Sequence, residues 1–307
     1  MSTLAKYEGI IPAFYAAYDA EGRVSPAAVQ SLVQYFIDKG VQGIYVNGSS
    51  GECIYQSPED RKQILEAVME VARGKLTVIN HVACNNTEDS MELARHSEAL
   101  GVDAIAAIPP IYFKLPEKSI AAYWNAISEA APQTDFIIYN IPQLAGVSLT
   151  PSLYQEMKKN PRVIGVKNSS MPVQDIQSFA TIGGADSIVF NGPDEQYLGG
   201  RLMGARAGIG GTYGVMPDLF LQLEKLIQLG DLEQAQALQF KVNEVIAKLV
   251  SGSGHLYAVA KEVLRVNEGI DLGPVRSPLA NLGDQDWELA REIASLIQDI
   301  RASYVKE

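Results

Sequence analysis

Cysteine is nearly absent: Cys53 and Cys84 are the only two in 307 residues. That excludes a disulfide framework, and a chain of this length buries enough core to need none. The three histidines, His81, His96 and His255, have no ligand spacing among themselves or with the cysteines, so a zinc centre is not expected. All three read as structural, His96 within a helix-like stretch and His81 at a strand end. Positive charge is in deficit, with Lys+Arg 25 against Asp+Glu 36 and a formal net charge of −11. Such a chain has no basic surplus to meet phosphates, which excludes nucleic acid and anionic membrane as partners. No apolar run approaches the roughly 20 residues of a membrane span. The opening residues through Glu8 lack the apolar core of a signal peptide, so a reducing cytoplasm is the expected location. No Gly-x-Gly-x-x-Gly turn, Walker loop or Gly-x-Ser-x-Gly elbow occurs.

What remains is a regular alternation. Hydrophobic residues make up 47% and charged residues 20%, the balance of a globular chain. Eight short apolar runs recur, at Gly9–Tyr15, Gly43–Val46, Leu76–Val82, Asp103–Ile108, Phe136–Ile141, Val163–Lys167, Ser187–Phe190 and Ala207–Gly210. Amphipathic stretches separate them. Pro26–Lys39 places Val29, Leu32, Val33 and Phe36 on one helical face. Ser57-Pro-Glu-Asp60 reads as an N-cap with proline and acids in the first turn. Further helices are expected at Thr87–Ala99, Glu117–Ala130, Pro151–Lys159, Val173–Ile182, Glu195–Met203 and Pro217–Leu229. Strands that each feed a helix pair in parallel, and eight such units close into an α/β fold of the (β/α)8 TIM barrel type. The strand signal stops after about residue 230. We therefore expect a catalytic barrel over residues 1–230 and a helical C-terminal extension over residues 231–307.

Chemistry in such a barrel collects at the C-terminal ends of the strands. Strand six closes on Lys167, and period-two alternation sets Val163, Gly165 and Lys167 on one face, with Ile164 and Val166 on the other. A lysine inside a barrel is costly unless paired or neutral, and a neutral amine is the nucleophile that carbonyl chemistry requires. An outward or ion-paired lysine is the alternative. Strand five places Tyr139 on the face of Ile137 and Ile141, where its hydroxyl either moves protons or merely packs. The turn Asn47-Gly-Ser-Ser-Gly-Glu52 offers hydroxyls and amides to a carboxylate or phosphate, or is an ordinary loop.

Five motifs in order, Gly48-Ser-Ser-Gly-Glu52, Tyr139-Asn-Ile-Pro142, Gly165-Val-Lys167, Gly192-Pro-Asp-Glu195 and Gly208-Ile-Gly-Gly-Thr-Tyr213, resemble the N-acetylneuraminate lyase/dihydrodipicolinate synthase family of class I aldolases. The resemblance implies that Lys167 condenses with a 2-oxo acid. It implies further that Ser49 and Ser50 hold the substrate carboxylate. Tyr139 relays protons, assisted by Ser49 and by Tyr112, which matches a tyrosine reaching into a neighbouring subunit. Ser169, Gly192, Asp194, Glu195 and Gly211 then line the rest of the substrate site, the two acids binding a polyhydroxyl tail unless they simply cap the next helix. Leu144 stands where the synthases carry an arginine, which favours the lyase branch and the reversible cleavage of N-acetylneuraminate to N-acetylmannosamine and pyruvate. Gly211 departs from the serine usual in lyases, so another 2-oxo-3-deoxy sugar acid is the alternative substrate. A synthase-like enzyme and a non-catalytic pyruvate-binding barrel are more distant readings. The resemblance implies no metal and no cofactor, a small-molecule substrate and a homotetramer.

Overall fold

The computed structural model describes residues 4–305; the outermost ends of the two expected segments, residues 1–3 and 306–307, lie outside the described residues. Eight parallel strands alternate with helices: β1 (Gly9–Pro12), α1 (Pro26–Lys39), β2 (Gly43–Val46), α2 (Pro58–Ala72), β3 (Thr77–His81), α3 (Thr87–Leu100), β4 (Ala104–Ala107) and α4 (Glu117–Ala130) form the first half. The second half contains β5 (Asp135–Asn140), the short α5 (Pro142–Ala145), α6 (Pro151–Met157), β6 (Val163–Asn168), α7 (Gln174–Gly183), β7 (Ile188–Asn191), α8 (Tyr197–Leu202), β8 (Ala207–Gly210) and α9 (Pro217–Leu229). Neighbours in the sheet run β1-β8-β7-β6-β5-β4-β3-β2. The ring is completed between β1 and β2, where Phe14 N–H donates to Tyr45 O at 2.9 Å and Gln42 N–H to Ile10 O at 3.0 Å. This is a (β/α)8 TIM barrel with C-terminal helices.

Local chemistry sets the element ends. Ser57 caps α2 in a capping box with Asp60, so two N–H groups at the helix start are satisfied reciprocally. Gly40, at φ 72°, ends α1 in the left-handed conformation that glycine adopts without a Cβ penalty. The first strand is shorter than expected: β1 ends at Pro12, and Ala13 then forms a single bridge to Tyr45.

Two apolar cores result. Ile11, Tyr45, Ile79, Ile137, Tyr139, Phe190 and Ile209 fill the barrel, and a larger layer between strands and helices includes Val29, Val46, Val166 and Leu223. The same outer layer takes in Leu238, Val242, Val263 and Ile297, from α10 (Leu232–Leu249), α11 (Leu256–Glu268) and α12 (Asp286–Tyr304). The alternation expected along β6 fails at one place. The register with β5 slips between Phe136 and Ile137, pairing Phe136 with Val163 but Ile137 with Gly165. An extra residue in one strand reverses the faces before it, so Val163 joins the outer core and Ile164 the inner one. Among the described residues no helix is long and apolar enough to cross a membrane.

Candidate active site

Lys167 is the fifth residue of β6, in register with Tyr139 of β5 and Phe190 of β7. Its side chain is 4% exposed. Nζ lies 3.9 Å from the Tyr139 ring centroid and 4.0 Å from that of Tyr45. The two rings are 5.8 Å apart at 78°, so the amine occupies an aromatic corner. His81 extends that corner, 5.9 Å from Tyr139 and 6.2 Å from Tyr45. Among the described residues no carboxylate forms an ion pair with Lys167. At Gly165 a Cβ would overlap the Ile188 carbonyl of β7, so only glycine fits there.

Tyr45, which the sequence reading passed over, and His81, which it took as structural, are the neighbours that complete the corner. Alternation along β2 was sufficient to turn Tyr45 inward, and His81 ends β3 at the same mouth. The imidazole is fully buried and flanked by Arg61 and Lys167, which drives its pKa well below the usual value and keeps it neutral. Ile108 N–H donates to Nε2 at 3.3 Å, leaving Nδ1–H to donate to Asn47 O at 3.0 Å. Tyr45 is likewise held as a neutral phenol by burial, and its hydroxyl has no hydrogen-bond partner among the described residues.

The turn after β2 carries Ser49 and Ser50. Asn47 and Glu52 bracket it at φ 56° and 60°, a conformation non-glycine residues hold only when their surroundings fix it. Asn47 Nδ2 donates to Arg61 O and Asn80 Oδ1 at 3.0 and 2.9 Å. Glu52 accepts from Lys261 Nζ at 2.8 Å and from Arg276 N–H at 2.7 Å, a buried pair that ties the turn to α11. Gly51, Glu52 and Cys53 N–H groups turn back onto Gly48 and Ser49 carbonyls. Among the described residues nothing accepts from Ser49 or Ser50 N–H, which leaves two amides for an anion. Ser50 Oγ donates to Tyr257 Oη of α11 at 2.7 Å.

Across the mouth, Asp194 is 6% exposed in the 3-10 turn Asp194–Gln196. Its Oδ2 accepts from Thr212 N–H and Oγ1, both at 2.6 Å, while Oδ1 is buried without a partner among the described residues. The carboxylate therefore serves the β8 loop and does not cap α8, whose start has no side-chain cap. Burial raises the Asp194 pKa to about 7, Thr212 opposing the rise. Glu195 is exposed beside it. Helix α10 holds this turn from behind: Gln239 Nε2 donates to Asp194 O at 3.1 Å and Asn243 Nδ2 to Glu195 O at 3.0 Å. Gln239 Oε1 also accepts from Leu198 N–H at 3.0 Å. Gly192 abuts Ser169, since a Cβ would overlap Ser169 Oγ. A Cβ on Gly211 would stand 2.8 Å from Tyr257 Oη and 3.2 Å from Ser50 Oγ.

Lys167, Tyr139, Ser50, Asp194 and Gly211 thus gather around one mouth, where Tyr257 bonds Ser50 and stands against Gly211. Tyr112 does not join them within one chain. It is 90% exposed at φ 87°, its ring against Phe113 at 5.0 Å. Leu144, on α5, is 65% exposed.

The chain is 63% identical over 305 residues to the N-acetylneuraminate lyase of Mediterraneibacter gnavus, covering 99% of this chain and 97% of the relative. It is 32% identical to that of Escherichia coli over 292 residues, 95% of this chain and 96% of the relative. A solved structure described as the catalytic lysine mutant of the Ruminococcus gnavus sialic acid aldolase superposes with a TM-score of 0.98 at 63% identity, covering 99% of this chain and all of that one. The model of the dihydrodipicolinate synthetase family matches residues 6–297. Barrel, lysine-bearing strand and matched length agree: the chain belongs to the dihydrodipicolinate synthetase family.

Proposed function

We propose that this protein is a Schiff-base aldolase that reversibly cleaves N-acetylneuraminate to N-acetylmannosamine and pyruvate. The observation that carries the reading is the buried Lys167 amine, without a carboxylate partner among the described residues and set between the faces of Tyr45 and Tyr139. The 63% identity to an N-acetylneuraminate lyase supports the substrate.

In this reading Lys167 attacks the substrate ketone and, with loss of water, forms an iminium. The iminium draws the electrons of the C3–C4 bond as it breaks, giving an enamine on the lysine and the aldehyde of the amino sugar. The C4 hydroxyl passes its proton to the Tyr139 oxygen as Tyr139 hands its own proton through Ser49 to the substrate carboxylate, and the same relay run backwards delivers a proton to C3 of the enamine. Water then hydrolyses the second iminium and releases pyruvate. Ser49 and Ser50 hold the carboxylate through hydroxyls and the two unengaged amides. Asp194 and Glu195 accept from hydroxyls of the sugar tail, with Ser169, Gly192 and Gly211 lining the path between.

Tyr112 is assigned to a neighbouring subunit's site in a homotetramer built from tight dimers; its exposure and left-handed backbone suit a residue that is ordered by a partner. Residues 1–230 act as the catalytic barrel and residues 231–307 as an extension bracing its mouth through Gln239, Asn243, Tyr257 and Lys261. The unpaired Cys53 and Cys84 fit a cytoplasmic enzyme. The test is a screen of pyruvate release from N-acetylneuraminate and shorter 2-oxo-3-deoxy sugar acids. N-acetylneuraminate is expected to give the highest kcat/KM, and no release from any of them would overturn the reading.

A further inference from the structure

The iminium that the proposed reaction requires is a cation, and its nitrogen sits where a carboxylate counterion is missing. Two ring faces stand there instead, each about one van der Waals contact from Nζ. The placement of the Tyr45 ring also has a sequence correlate. A Cβ at Gly48 would stand 2.5 Å from Tyr45 Cε1 and 2.9 Å from Cδ1, so the first glycine of the serine turn is what lets the ring lie where it does. The Tyr45 hydroxyl, buried and unpartnered, has no acceptor to anchor it; the ring face is the part of Tyr45 in contact with the reacting nitrogen.

We infer that Tyr45 is a catalytic residue through its ring: with Tyr139 it forms an aromatic corner that serves as the counterion of the Lys167 iminium. The inference rests on the Schiff-base reading above. A cation over an aromatic face is stabilised by the ring quadrupole, most strongly when water is excluded. The corner therefore favours the cationic states of the nitrogen over the neutral ones. Along the reaction the ketone oxygen leaves as water with one proton from the amine and one from a neighbouring acid. The neutral carbinolamine thereby becomes the cationic iminium, and loss of a C3 proton or of the C3–C4 bond turns that into a neutral enamine. Weakening the ring face shifts the bound population from iminium towards carbinolamine and enamine.

Cyanoborohydride near neutral pH reduces the iminium and spares the carbinolamine, the enamine and free pyruvate, so the rate of reductive trapping at saturating pyruvate reads the iminium fraction. The comparison uses Tyr45→Phe as reference, the same substitution bearing one, two and three ring fluorines, and Tyr45→Leu. Fluorines drain the ring face while nearly keeping its shape, so the series stays informative even if Tyr45→Leu fails to fold. Trapping is expected to slow stepwise with each fluorine, by about 2- to 30-fold across the series, with Tyr45→Leu at or beyond its end. Equal trapping across the fluorinated series, or faster trapping with fluorination, overturns the aromatic counterion while leaving the aldolase intact. No trapping at Lys167 in the unsubstituted enzyme overturns the Schiff-base reading and the corner with it.

Discussion

Replacing Gly211 by serine restores a hydroxyl at the β8 loop, yet it is expected to destabilise this protein. The built Cβ falls 2.8 Å from Tyr257 Oη and 3.2 Å from Ser50 Oγ, closer than side chains tolerate without displacement. Tyr257 has little room to withdraw. Its ring packs 5.6 Å from Tyr15 and 5.4 Å from His255, and its hydroxyl is bonded to Ser50. Overfilling a packed site costs about 1–3 kcal/mol. Tyr257→Phe removes the offending oxygen and leaves Cε1 as the nearest ring atom at 3.6 Å, an ordinary contact. That substitution alone deprives Ser50 of its partner, worth about 0.5–1.5 kcal/mol. In its background Gly211→Ser should cost much less, because the contact that remains, Ser50 Oγ at 3.2 Å, is a hydroxyl freed to rotate; the coupling between the two positions is about 1–3 kcal/mol. Thermal unfolding of the four proteins reads this directly. Gly211→Ser should lower Tm by about 2–10 °C in the parent and by distinctly less beside Tyr257→Phe. Equal losses in both backgrounds would refute the argument that Tyr257 excludes a side chain at position 211.

Tyr139→Phe keeps the ring beside Lys167 and removes the hydroxyl; turnover should fall roughly 10²–10⁴-fold with unchanged far-ultraviolet circular dichroism, and near-parental turnover would leave Tyr139 a packing residue. Gln239→Glu keeps the acceptor for Leu198 N–H but turns an acceptor towards Asp194 O. It should raise KM for N-acetylneuraminate roughly 3- to 10-fold and leave KM for pyruvate in the synthetic direction unchanged; parallel shifts would mean a purely structural role. Asp194→Asn probes the buried acid. Because the fold raises its pKa from 3.8 to about 7, the carboxyl adds stability at low pH that is lost as pH climbs from about 4 to 7, at most about 4 kcal/mol. Denaturant midpoints should therefore show the asparagine variant gaining on the parent across that interval, and a constant difference would contradict the assignment.

Much of this was legible because local periodicity reports local structure. Eight apolar runs gave eight strands, and Ser57 and Gly40 end their helices by side-chain and backbone chemistry that needs no tertiary partner. Lys167 was visible because a charge closing an apolar strand has few places to go. What stayed hidden depends on contacts distant in sequence. The slip at Ile164 is a property of the β5–β6 pairing, and the need for glycine at position 165 lies in the Ile188 backbone. Gln239, Asn243 and Tyr257 read only as residues of amphipathic stretches, since their partners are 45, 48 and 207 positions away. Tyr45 drew no notice because alternation gives the face of a residue, not what shares that face.

The most direct measurement is peptide mapping after reduction of the protein with borohydride in the presence of pyruvate. A reduced pyruvyl group is expected on Lys167, with loss of N-acetylneuraminate cleavage in proportion to labelling and no labelling in Lys167→Arg, whose guanidinium stays charged and forms no imine. A preparation that cleaves N-acetylneuraminate while Lys167 remains unmodified, or that carries the label on another lysine, would contradict the account.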